Sequence, residues 1–98
     1  MNVIRHITIR GRVQGVGYRA FVEFEARKRS IEGWVRNLRD GSVEALFAGD
    51  ERKVAEVVDE SRYGPSGARV DALDQRDGRK EELRLRRPGE AFSVLPTF

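Results

Sequence analysis

Ninety-eight residues, 39% hydrophobic and 36% charged with both classes spread along the chain, suit one small globular domain over residues 1–98 and exclude a multi-domain enzyme or a large doubly wound sheet. The absence of cysteine excludes a disulfide framework, a zinc–thiolate site, an iron–sulfur cluster and a thiol nucleophile. A net charge of +3, from 19 basic and 16 acidic residues, argues only weakly for nucleic acid, and no apolar run nears the roughly 20 residues of a membrane span.

Residues 3–13 alternate. Val3, Ile7, Ile9, Gly11 and Val13 share one parity, and His6, Thr8, Arg10 and Arg12 the other, the period of a half-buried strand. Gly11, Gly15 and Gly17 then crowd a loop. From Tyr18 to Ser30 helix formers dominate, with Ala20, Phe21, Phe24 and Ile31 at helical spacing as the expected inner face. Glu32 to Leu38 reads as a short strand around Trp34 and Val35. Asp40-Gly41 signals a hairpin turn, and Ser42 to Ala48 alternates again. Gly49-Asp50 ends that strand, and Asp50 is placed to cap a second helix with the stripe Val54, Val57, Val58. Tyr63 to Gly67 reads as a loop, Ala68 to Gln75 as a fourth strand and Phe92 to Leu95 as a last one. In the polar stretch 77–90, Leu83 and Leu85 look strand-like. The order β-α-β-β-α-β predicts a ferredoxin-like α+β sandwich: an antiparallel sheet of four to five strands with two helices on one face. That fold hosts many unrelated activities and does not decide function.

The stretch that bears chemistry is the glycine-rich turn Gly11-Arg-Val-Gln-Gly-Val-Gly-Tyr-Arg19. Glycines let a backbone curl tightly and present successive N–H groups inward. The helix that follows points unpaired N–H groups and a partial positive charge at the same place. Together they make a cradle of phosphate size. Arg19 falls in the first helical turn, where its guanidinium can hold two phosphate oxygens in parallel. A plain tight turn beside a surface arginine would have the same spacing. A second cluster, Gly33-Trp-Val-Arg-Asn37, precedes the Asp40-Gly41 turn. The Asn37 amide has a donor and an acceptor, so it can orient a water while bonding a phosphate oxygen. It could equally end its strand by bonding its own turn.

Two other motifs overlap the glycine turn. Gly15-Val-Gly17-Tyr-Arg-Ala20 fits a dinucleotide fingerprint, with Asp40 about 20 residues on. The Asp-Gly hairpin makes the sheet antiparallel, however, and the chain is too short for paired mononucleotide halves. Gly17 to Phe24 is similar to the aromatic strand of RNA-binding sandwiches of this topology. Here it is interrupted by Arg19 and falls on the first helix, where its aromatics are expected to face the core.

Gly11 to Arg19 resembles the phosphate-loop signature of the acylphosphatase family. Gly33-Trp-Val-Arg-Asn37, followed by Asp40-Gly41-Ser-Val43, resembles that family's second signature. Gly64-Pro65 and Ala68-Arg-Val-Asp71 resemble its run into the fourth strand, and the likeness extends to about residue 74. The resemblance implies hydrolysis of acyl phosphates to carboxylate and inorganic phosphate, with acetyl phosphate, carbamoyl phosphate and 1,3-bisphosphoglycerate as substrate types. It implies that Arg19 binds the phosphoryl oxygens and that Asn37 positions the attacking water. The main-chain amides of Gly15, Val16, Gly17, Tyr18 and Arg19 would complete the cradle. Some members tie their terminal carboxylate to the signature arginine; here Pro96 interrupts the tail.

A carboxylate is a good leaving group, so positioning and electrostatic stabilisation suffice without a covalent intermediate. No cofactor and no metal are expected, because the chain has one histidine, no cysteine and no carboxylates at ligand spacing. That histidine, His6, lies on the polar parity of the first strand and reads as a surface or sheet residue. The expected partners are a small acyl phosphate and phosphate, with no nucleic acid and no membrane. The expected location is the cytoplasm, since the N-terminus lacks signal-peptide architecture, and the expected state is a monomer. The alternatives are a non-catalytic RNA-binding module and a module serving a larger maturation enzyme.

Overall fold

The computed structural model describes residues 1–98. Strand β1 covers Asn2–Arg12, helix α1 Tyr18–Lys28, β2 Glu32–Asn37, β3 Val43–Asp50, α2 Glu51–Ser61, β4 Arg69–Asp77 and β5 Phe92–Val94. A 3-10 helix, Lys80–Leu85, lies between the last two strands. The sheet order is β4-β1-β3-β2-β5. This is the ferredoxin-like α+β fold, with one departure from the expected antiparallel sheet: β5 pairs with β2 in parallel. The cause is the route of the chain. It leaves β4 at one edge of the sheet and reaches the opposite edge through residues 78–91, so its last strand runs alongside β2.

Alternation along the strands sends alternate side chains to two different faces. Ile7, Ile9, Val35, Val43, Ala45 and Phe47 point to the helices and meet Val22, Ala26, Val54, Val57 and Val58 in the main core. Removing each of the larger side chains from water contributes about 1.5–3 kcal/mol. Phe47 stacks on Phe92 with ring centroids 6.2 Å apart, which ties β5 to that core.

The inner face of α1 differs from its sequence expectation. Tyr18, Val22 and Ala26 are buried, and Ile31 is buried beyond the helix end, but Ala20 is exposed and Phe24 is 63% exposed. Tyr18 sets the rotation: its ring is buried and its hydroxyl donates to the Ser61 carbonyl at 2.5 Å, joining α1 to the end of α2. Burial raises the Tyr18 pKa, so the hydroxyl stays a donor.

The other sheet face is also covered. Trp34 and Leu46 are buried with Leu95 as a second small core, against which Ile4 and Leu83 pack. Leu83 and Leu85 are therefore not in a strand. The Glu82 carboxylate accepts from the Arg79 amide at 2.9 Å and pairs with Arg76 at 2.8 Å, closing a helical turn instead. The indole of Trp34 donates to the Glu82 carbonyl at 2.8 Å. His6 lies on this face, buried, with Nε2 2.8 Å from Glu44 Oε2. Glu44 also accepts from Arg36 at 2.6 Å. The His6 and Arg36 contacts hold the Glu44 carboxyl below the ordinary carboxylate pKa. No helix is long and apolar enough to cross a membrane.

Candidate active site

One end of the sheet gathers the residues singled out by their chemistry. β1 ends at Arg12, and its core parity continues through Val13, which is buried. The chain then turns into α1. Gly15 and Gly17 have φ of +74° and +80°, a region that a Cβ disfavours. A Cβ built at either position meets nothing within 4 Å. The requirement is thus for backbone conformation and not for space. The turn leaves α1 with an open N-terminus: Gly17 offers no capping side chain, and the first turn has no acid. None of the backbone amides from Gly15 to Ala20 donates within the protein; the first to do so is Phe21, to the Gly17 carbonyl at 3.1 Å.

Arg19 stands in the first turn of α1, half-buried, and takes part in no ion pair. Most of the guanidinium groups packed onto the fold are matched; Arg36, for instance, pairs with Glu44. An unmatched guanidinium next to unmatched amides is a site of positive potential.

Asn37 is the last residue of β2 and shares the parity of Val35, so its side chain points to the helix side of the sheet. It is 9% exposed, and its Oδ1 is buried with no hydrogen-bond partner. A buried carbonyl oxygen left unpaired costs about 1–3 kcal/mol. Asn37 does not bond its own turn. Asp40 does so instead: its Oδ1 accepts from the Ser42 amide at 2.9 Å and from the Ser42 hydroxyl at 2.5 Å. These contacts lower the Asp40 pKa.

A cleft of about 370 Å³ joins these parts, lined by Val13, Gln14, Gly15, Gly17, Arg19 and Asn37 among others. Val16 packs against the core edge, and Tyr18 contributes its amide, its ring being buried.

Gln14 is a residue whose part the sequence did not disclose. Its Nε2 donates to the carbonyls of Leu38 and Ser42, both at 2.8 Å, and so locks the glycine turn to the β2–β3 hairpin. Both partners lie more than a score of residues away in the chain, and such a bridge leaves no local periodicity to find. The C-terminus makes other contacts. It forms no ion pair with Arg19. The Phe98 amide donates to the Asn37 carbonyl at 3.0 Å, and the Phe98 ring lies 4.1 Å from the Arg36 guanidinium. The tail therefore grips the strand end that carries Asn37.

The aromatic motif lies on α1 and not on a strand. Tyr18 is buried, whereas Phe24 is exposed on a helix and does not face the core. The sheet face that such a module would present carries Trp34 and Leu46 under Leu83 and Leu95.

The acylphosphatase family profile matches residues 5–87, beyond the point near residue 74 where the visible sequence likeness stops. An acylphosphatase of Rhodopseudomonas palustris (strain BisB18) is 62% identical over 96 residues, covering 98% of this chain and 97% of that protein. The crystal structure of acylphosphatase from Bacillus subtilis superposes with a TM-score of 0.82 at 35% identity, covering 97% of this chain and 99% of that one. The crystal structure of full-length HypF in its phosphate- and nucleotide-bound form contains a region with a TM-score of 0.83 at 27% identity; it covers 99% of this chain and 12% of that one.

Proposed function

The chain belongs to the acylphosphatase family and hydrolyses acyl phosphates to carboxylate and inorganic phosphate, and from that premise we propose how its residues divide the work. The amides of Gly15, Val16, Gly17, Tyr18 and Arg19 cradle the phosphoryl group, and the Arg19 guanidinium takes two of its oxygens in a bidentate grip. Asn37 holds the attacking water. The observation that carries this reading is the buried, unpartnered Oδ1 of Asn37 on the wall of the same cleft as Arg19. A water that donates one hydrogen to that oxygen keeps its lone pairs free for phosphorus.

The chemistry needs little more. Attack moves negative charge onto the equatorial oxygens and toward the leaving carboxylate. Amides and a guanidinium already aimed at those oxygens stabilise that charge without reorganising. Holding the water in line replaces a bimolecular encounter. The carboxylate leaves without a general acid, and the phosphoryl group itself takes up the proton that the water sheds. No covalent enzyme intermediate enters this scheme.

We read the enzyme as a monomer that acts in the cytoplasm, because the scheme asks for no second subunit and the N-terminus lacks signal-peptide architecture. Sedimentation and cell fractionation test those two points. The reaction itself is tested by an assay of purified protein on benzoyl phosphate, with p-nitrophenyl phosphate as the control ester. Hydrolysis of the first and neglect of the second are expected. Equal turnover of both would replace the acyl phosphate specificity with a general phosphatase.

A further inference from the structure

We infer that Glu23 sets the specificity for the acyl part of the substrate, favouring neutral or cationic acyl groups over anionic ones. The inference rests on the reading that the phosphoryl group sits at Arg19 and the amides. From there a substrate can extend only where the cleft is open. Besides the cradle, that cleft is lined by Ala20, Glu23 and Val94. It meets a shallower depression formed by Ala20, Glu23, Phe24, Arg27 and Lys28. Ala20 and Glu23 are common to both and mark the junction. The acyl group leaving the cradle therefore passes small apolar side chains and then a carboxylate.

Spacing on the helix fixes how far along that path the carboxylate stands. Glu23 is four residues after Arg19, about 6 Å along the axis at about 1.5 Å per residue. A charged group several bonds beyond the carbonyl reaches that depth. The Glu23 side chain is 34% exposed, and its Oε2 lies 3.1 Å from Arg27 Nε. Arg27 is itself held in place: its Nη2 donates to the Phe92 carbonyl at 2.6 Å. Lys28 lines only the outer depression, its ammonium 6.0 Å from the centre of the Phe24 ring. Glu23 is thus the one charged residue on the cleft wall besides Arg19, and Arg27 and Lys28 lie a further turn along α1. Arg27 damps the Glu23 charge without facing the cradle end of the cleft.

The test is the ratio of kcat/KM values for three substrates that differ in one remote group: benzoyl phosphate, 4-carboxybenzoyl phosphate and 4-(aminomethyl)benzoyl phosphate. The wild type should prefer the neutral and cationic compounds to the anionic one by roughly fivefold or more, as expected for like charges at short range near a protein surface. Glu23→Gln should bring the anionic compound to within about twofold of the neutral one. Arg27→Gln should move the ratio the opposite way, because it unmasks Glu23. An unchanged ratio in Glu23→Gln would overturn the inference. So would a wild-type preference for the carboxylate that is lost in Arg27→Gln, since that would give the acyl end to Arg27 and Lys28. Failure of the wild type to hydrolyse any of the three would overturn the site reading as well, whereas turnover with no charge preference overturns this inference alone.

Discussion

Helix α2 starts at Asp50, whose carboxylate accepts from the Arg52 and Lys53 amides at 3.2 and 3.4 Å, and Glu51 adds an acid to its first turn. Helix α1 starts at Gly17, in left-handed conformation, with no capping side chain and no acid in its first turn. The two helices have the same length, 11 residues, and pack on the same sheet face, yet only one supplies its own anion. A missing cap costs about 1 kcal/mol. At α1 that cost is joined by a second one on the wall of the same cleft, the unpaired Oδ1 of Asn37. In the proposed division of roles, a phosphoryl group and its attacking water relieve both at once. The contrast teaches that two equivalent helices can differ in whether the chain satisfies its own first turn, and the one left open borders the cleft.

The largest effect should come from removing the cation at the open end. Arg19→Ala should lower kcat/KM for an acyl phosphate by more than about a hundredfold, a loss of roughly 3 kcal/mol or more of charge-assisted contact. Thermal unfolding should change little, because Arg19 has no ion pair to lose. Near-normal turnover in the folded variant would remove Arg19 from the site, and Arg19→Lys should restore little, since a point charge cannot reproduce the fork. Asn37→Ala should follow, lowering kcat by roughly a hundredfold while inorganic phosphate binds almost as well as before. If phosphate affinity collapsed and kcat at saturation held, the roles of the two residues would have to be exchanged.

The capped helix should answer in the opposite currency. Asp50→Ala should cost about 1 kcal/mol of stability, seen as a fall of roughly 4–8 °C in Tm, with kcat/KM unchanged within error. A loss of activity without loss of stability would erase the distinction between the two N-termini.

Smaller effects come from the far sheet face. Arg76 holds the Glu82 pKa down to about 2 from an ordinary 4.5. A depressed carboxylate contributes stability above its unfolded pKa and loses it as pH falls through the folded one. Stability should therefore decline between pH 4.5 and about 2, and Glu82→Gln should flatten that decline in acid denaturation curves. His6, bonded to Glu44 on that same face, lies away from the cleft. His6→Gln should change kcat/KM by less than about threefold, with a near-flat rate between about pH 5.5 and 8 and no response to EDTA. An inflection near pH 6.5 that vanishes in His6→Gln, or activity restored by magnesium, would contradict the positioning scheme.

Much of this was legible in the residues because it depends on local rules. The parity of Val3, Ile7 and Ile9, the Asp40-Gly41 turn and the Asp50 cap are each set within a few positions. The two signatures carrying Arg19 and Asn37 are likewise short. What stayed hidden depends on distant partners. The rotation of α1 is governed by Tyr18 reaching Ser61 on α2, which periodicity cannot reveal, so Ala20 and Phe24 read as core. The parallel pairing of β5 and the helical turn at Lys80–Leu85 depend on the crossing of a polar segment whose anchors, Arg76–Glu82 and Trp34 to the Glu82 carbonyl, are side-chain contacts between elements. The clasp of Gln14 on the Leu38 and Ser42 carbonyls is hidden for the same reason.

Phosphate binding at the uncapped helix is tested most directly by titrating the folded protein with inorganic phosphate, followed amide by amide through proton–nitrogen correlation spectra. Saturable shifts are expected at Gly15, Val16, Gly17, Tyr18 and Arg19, with a weaker response at Asn37 and no shift at the amides that Asp50 already caps. Those shifts should disappear in Arg19→Ala. Shifts centred on the start of α2, or saturable phosphate binding that leaves the Gly15–Arg19 amides unmoved, would contradict the claim that the uncapped helix is where the phosphoryl group is held.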